Sequence, residues 1–207
     1  MDRATLKSNA KASLKGKYGD AILMFVIYGL ITGAAGGILG GILGFAGGDE
    51  ETIGLIGEVI GFLISSLLIL GMYSYFLKVS RNETVKWDEL FSKTKYFLPA
   101  LLITLLCTIF IGLWTLLLII PGIIAALGYS QVYFVKLDNP DMEVMDVLKK
   151  SKELMNGHKM DYFVLQLSFI GWAILGALTF GILYFWLIPY MSVTEANFYN
   201  ELIKKNK

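Results

Sequence analysis

The chain has 207 residues, of which 56% are apolar and 17% charged, with a mean hydropathy of +0.63 and a formal net charge of +1. That is too apolar for an ordinary soluble domain, and no basic region is large enough to grip nucleic acid. A single cysteine, Cys107, and a single histidine, His158, exclude an intramolecular disulfide, zinc sites built from several thiolates or imidazoles, bis-histidine haem and iron-sulfur clusters, so no cofactor is expected.

At the N-terminus Leu6, Ala10 and Leu14 recur at helical spacing among Arg3, Lys7, Lys11, Lys15 and Lys17, which predicts a basic amphipathic helix lying on a membrane surface. The apolar run that follows continues to about Ala46, too long for a signal-peptide core, and reads as a retained helix. Gly47 to Thr52 forms a polar hairpin between spans placed at 21–46 and 53–77. The first of these carries Gly29, Gly33, Gly37 and Gly41, and in a second register Gly36, Gly40 and Gly44. Small residues spaced by four let helix backbones approach closely, so these are candidate packing positions, either between the first two spans or in a homo-oligomer. Glu58 lies about 10 Å along the second span, where an ionisable group is costly and marks a candidate functional residue.

Lys78, Arg81, Lys86, Lys93 and Lys95 fill the next connector, in which Trp87, Leu90, Phe91 and Leu98 suggest a second amphipathic helix. From Tyr96 to Val135 there is no charged residue or histidine. As one helix the run to Leu137 would be about 63 Å long against a hydrocarbon core of about 30 Å, so it must turn back. Pro121 and Gly122 are the expected break, giving spans at 97–119 and 122–137. Asn139-Pro140 reads as the capped start of a third amphipathic helix with Met145, Leu148 and Met155 on its apolar side, and Asn156-Gly157 as its stop. His158 completes that helix end. The last apolar run carries Glu195, expected to pair with a cytoplasmic lysine; its break is placed at Thr179 to Gly181, with Pro189 a further break position, and its spans at 162–179 and 182–200.

Under this reading all 18 lysines and arginines fall on one side of the bilayer and the three opposite turns have none. The positive-inside rule makes that side cytoplasmic, with both termini inside. The expected fold is an all-α integral membrane protein with six transmembrane helices arranged as three two-span hairpins, each preceded by a cytoplasmic amphipathic helix. The units are approximately 1–80, 81–137 and 138–207 of a single membrane domain. Tyr75 to Lys78 (YFLK) and Tyr133 to Lys136 (YFVK) both end an even-numbered span, IIP at Pro121 is echoed by LIP at Pro189, and Gly16 and Asp20 match Gly157 and Asp161 in spacing, as duplication of a two-span unit would leave them.

The stretches IIPGIIAALGYSQVYFVKLDNPDMEVMDVLKKSKELMNGHK and LSFIGWAILGALTFGILYFWLIPYMSVTEANFYNEL resemble the bacterial membrane family known as the domain of unknown function 975 family. The resemblance covers nearly the whole chain, with its specific motifs between Trp114 and Leu202. It implies a six-span bacterial protein and transfers no catalytic residue.

The residues themselves assemble no catalytic or metal-binding constellation. The expected activity is therefore non-enzymatic, through lipid or protein contacts in the bacterial inner membrane, in a scaffold, envelope-stress or immunity-like role. Expected partners are membrane lipids, anionic ones of the inner leaflet above all, and a second copy or another membrane protein, with no nucleic acid. The alternative is a small transporter or lipid-handling protein with a cavity between the repeats and Glu58 or Glu195 as its polar element.

Overall fold

The computed structural model describes residues 2–47 and 49–206, with the side-chain surroundings of residues 35, 36 and 39 left undescribed. The described residues form α-helices and short 3-10 turns, with no strand among them. Helix α1 (Arg3–Leu14) starts at Asp2, whose carboxylate accepts the Ala4 and Thr5 N–H groups at 3.1 Å and so satisfies two otherwise orphaned donors. It buries Leu6, Ala10 and Leu14, as the sequence pattern requires, and leaves Arg3, Ser8 and Lys11 exposed. At Gly16, with φ +80°, the chain leaves α1 and turns by 90° into α2 (Tyr18–Phe45). A second positive φ at Gly47 precedes α3 (Glu50–Ser80), which Asp49 caps by accepting the Thr52 N–H at 2.8 Å.

The next connector departs from expectation. Instead of an amphipathic α-helix it contains two 3-10 turns, Trp87–Phe91 and Thr94–Tyr96. Leu90 alone is fully buried there, and its backbone lies directly on Gly71, where a Cβ would collide with the Leu90 carbonyl. Trp87, Phe91 and Leu98 stay well exposed. Helix α4 (Phe97–Leu117) follows, and the reversal falls at Leu118, in extended backbone (φ −158°, ψ 142°), three residues before the expected Pro121-Gly122 break. Pro121 instead sits in the first turn of α5 (Ile119–Tyr129), where its missing N–H has no helical partner to lose. Gly122 serves contact rather than the turn: a side chain there would strike Thr115 of α4.

The chain then forms α6 (Val132–Asp138), α7 (Val144–Leu154), α8 (Lys159–Leu167), α9 (Ile170–Leu178) and α10 (Tyr184–Lys205). Ser151 of α7 explains the interruption between α5 and α6. Its hydroxyl donates to the Gly128 carbonyl at 2.8 Å and accepts the Gln131 N–H at 3.3 Å, replacing helical bonds with side-chain ones. Asn139-Pro140 ends α6 rather than opening α7: the Asn139 amide donates to the Val135 carbonyl at 3.0 Å, and Glu143 occupies the position before α7. Between α9 and α10, Phe180 (φ 52°) and Gly181 (φ +87°) carry the reversal, with the Gly181 N–H returning to the Gly176 carbonyl at 3.0 Å. Pro189, expected to break a helix, lies buried inside a continuous α10, whose packed surroundings tolerate the one lost backbone donor.

Four segments among the described residues are long and apolar enough to cross a bilayer: Glu50–Ser80, Trp87–Leu117, Ile119–Asp138 and Lys159–Leu178. A fifth appears if the bent pair of α1 and the start of α2 counts as one span. Helix α10 is not among them, its C-terminal half being polar. The core divides in two. Phe134, Phe169, Phe198, Leu165 and Tyr199 centre one part, and Leu14, Met24, Leu68, Tyr75 and Val193 the other, so α10 contributes to both.

Candidate functional site

Three polar features converge on α10. The first is Glu195, one turn beyond Met191. Its carboxylate accepts a 2.6 Å hydrogen bond from the Gln166 amide of α8, and Tyr162 of the same helix interacts with it as well. Glu195 also lines, with Tyr73, Phe76, Phe134 and Ser192, a cavity of about 40 Å³, enough for about one water molecule. Among the described residues no lysine pairs with it, contrary to the sequence expectation. The reason is positional: α10 turns Glu195 inward onto α8, while the nearby lysines of α1 engage aromatic rings instead. Lys7 lies 4.1 Å from the Phe169 ring centroid and Lys11 5.5 Å from that of Tyr190.

The second feature ties the C-terminal parts of α3, α6 and α10 together. Arg81, just past α3, forms a two-pronged pair with Asp138 at the end of α6, at 2.8 and 2.6 Å. Its Nε donates to the Asn200 side-chain oxygen at 3.2 Å, Tyr199 donates to Asp138 at 3.2 Å, and Asn200 donates to Ser80 at 2.9 Å. The hydrogen bond to Asp138 holds the Arg81 guanidinium above its ordinary range. Third, beside this latch α1 and α10 enclose a groove of about 580 Å³ lined mainly by amides and hydroxyls, including Asn9, Ser13, Asn82 and Asn197. Asn82 sits at φ 60°, a backbone conformation asparagine tolerates, and accepts a hydrogen bond from Ser13 at 3.1 Å.

Glu58 does not join any of these. It is exposed on α3, well along the first hairpin and away from Glu195. The glycine stripes split as well. Gly40 and Gly44 lie against Ile53 of α3, where a Cβ would be 3.6 and 3.8 Å from its methyl groups. Gly29, Gly33, Gly37 and Gly41 face open space, so they do not pack the first two helices together; Gly36 falls outside the residues whose surroundings are described. His158 stands 3.1 Å from Asp161 at the start of α8. Cys107 is buried in α4 as a small apolar residue.

Sequence reasoning singles out Glu195, counts Gln166 only among side chains too few and too mild for a proton pathway, and misses Tyr162, because a lone amide and phenol in an apolar run give no signal of convergence. Arg81 and Asp138 were legible only as charges flanking spans. The family model described as "Protein of unknown function (DUF975)" matches residues 1–125 and 115–207. The chain belongs to that family. No curated protein and no solved structure matches it.

Proposed function

We propose that this is a multi-pass protein of the bacterial cytoplasmic membrane that acts without catalysis, through contacts between its cationic inner surface and anionic lipid or a membrane-protein partner. Its topology on this reading is six crossings in three hairpins with both termini cytoplasmic. The observation that carries the reading is the way α1 is mounted. Its apolar side is built into the core through Leu6, Ala10 and Leu14, its lysines rim the bundle, and Lys7 donates to the Ser168 carbonyl at 3.2 Å while covering Phe169. A basic helix fixed at the base of apolar hairpins is suited to hold a negatively charged leaflet.

The test is purification of the full chain in mild detergent from a membrane of mixed lipids, with the retained lipids identified. Enrichment of anionic over zwitterionic phospholipid is expected. Retained lipids in the bulk ratio, together with no co-purifying protein, contradict the proposal.

One observation favours a second reading, transport: Glu195 beside an internal cavity between α3, α6 and α10. A cavity of about 40 Å³ suits a proton-carrying water rather than a larger solute. Proton flux in vesicles that is lost in Glu195→Gln and kept in Glu58→Gln would favour that reading over the first.

A further inference from the structure

Apart from the groove beside α1, the structure holds a second one with different chemistry. It runs along the outer side of α5 from Gly128 toward Pro121, about 10 Å by residue count, and has a volume of about 230 Å³. Its floor and walls are apolar, with Ile124 and Trp114 half exposed. Its inner mouth is cationic: Lys152 of α7 and Lys159, the first residue of α8, come together over Gly128, where a Cβ would lie 3.5 Å from the Lys152 stem and 3.7 Å from the Lys159 ammonium. Lys152 is held 5.4 Å from the centroid of the Tyr129 ring. The Ser151 bond to Gly128 fixes the register that brings Lys152 there.

Neither ammonium has a carboxylate partner among the described residues, although the neighbouring Lys149 pairs with Asp146 at 3.1 Å. Two unneutralised cations at the boundary of an apolar slot complement a ligand with an anionic head and an apolar tail. We infer that this groove is a binding site for one anionic phospholipid of the inner leaflet, with its phosphate between Lys152 and Lys159 and an acyl chain along Ile124 toward Trp114. The inference rests on the lipid-contact reading above and gives it a location. The Lys152 stem and the Lys159 ammonium cover Gly128, and the apolar slot continues from them toward Pro121 and Trp114.

Trp114 makes the site directly observable. The full chain with Trp87→Phe, Trp172→Phe and Trp186→Phe keeps Trp114 as its sole tryptophan, and chain-brominated lipids quench it on contact. In vesicles, brominated phosphatidylglycerol is expected to quench more strongly than brominated phosphatidylcholine at equal mole fraction. Each lysine contributes about fivefold to the relative association, so Lys152→Gln with Lys159→Gln lowers the preference about 25-fold. Lys149→Gln with Lys150→Gln, on the exposed side of α7, leaves it unchanged. Equal quenching by the two lipids in the parent, or an undiminished preference in the Lys152/Lys159 variant, overturns the site. Displacement of the brominated lipid by millimolar inorganic phosphate overturns it too, because the lysines then bind phosphate as such. If phosphatidylglycerol still co-purifies in excess while Trp114 shows no preference, the site fails and the general reading stands; if it does not and no protein co-purifies either, both fail.

Discussion

The first hairpin and the other two differ in how far they stand above the cationic layer. Each hairpin has a residue where that layer touches it: Gly71 of α3 under the Leu90 backbone, Gly128 of α5 under Lys152 and Lys159, and Phe169, before α9, under Lys7. From those points to the turns, α3 extends about 32 Å and α5 and α9 about 15 Å each, whereas α4, at 21 residues, is about 31 Å long. The distal half of the first hairpin is bare, with Leu30, Ile38, Ile42, Leu55 and Val59 each more than half exposed. The proximal parts hold nearly all the aromatic packing and polar fastening. Exposure and packing therefore fall to different segments: the long hairpin leaves apolar side chains bare, whereas the base of the bundle holds the helices together.

The largest effect is expected where a glycine carries the base. Gly71→Ala forces the 3-10 connector off α3 and costs about 3 kcal/mol, seen as a steep drop in thermal midpoint in detergent. Gly33→Ala in the long hairpin meets no neighbour and gains helix propensity, so its midpoint stays the same or rises, by up to about 1 kcal/mol. If both substitutions are equally damaging, the contrast between the regions is wrong. Next comes the latch. Arg81→Gln removes a partly exposed two-pronged pair and is expected to cost about 1–2 kcal/mol, with the loss shrinking at high salt as screening weakens the parent pair. A smaller penalty, about 1 kcal/mol, is expected for Gln166→Leu, which strips Glu195 of its amide donor. Adding Glu195→Leu should recover part of that loss, because both polar partners are then replaced. Smallest of all is Glu58→Gln, on an exposed part of the long hairpin, whose effect on thermal midpoint should be undetectable.

Much of this division was legible in the sequence, though unevenly. The amphipathic face of α1, the polar turn before α3 and the reversal at Gly181 follow from local chemistry: helical spacing, a capping carboxylate, and a residue free to adopt positive φ. Shifts occur where a tertiary contact outranks a local signal. Pro121 and Gly122 read as a turn, yet the extended residue Leu118 turns the chain and Gly122 serves the approach of α5 to α4. Asn139-Pro140 carries a helix-start pattern but is used as a stop, since the Asn139 amide finds the last free carbonyls of α6. Pro189 reads as a break and is absorbed by packing. The pairing of Glu195 with Gln166 depends on how α8 and α10 lie against each other, and sequence spacing holds no record of that.

The proposed topology requires the cationic layer and the long turn to lie on opposite sides of the bilayer. In a Cys107→Ala background, single cysteines replacing Gly47, Lys86 and Lys152 can be challenged in sealed right-side-out and inverted vesicles with a membrane-impermeant maleimide. Labelling of position 47 only from outside, and of positions 86 and 152 only from inside, is the predicted result. Modification of positions 47 and 86 from the same face would contradict it.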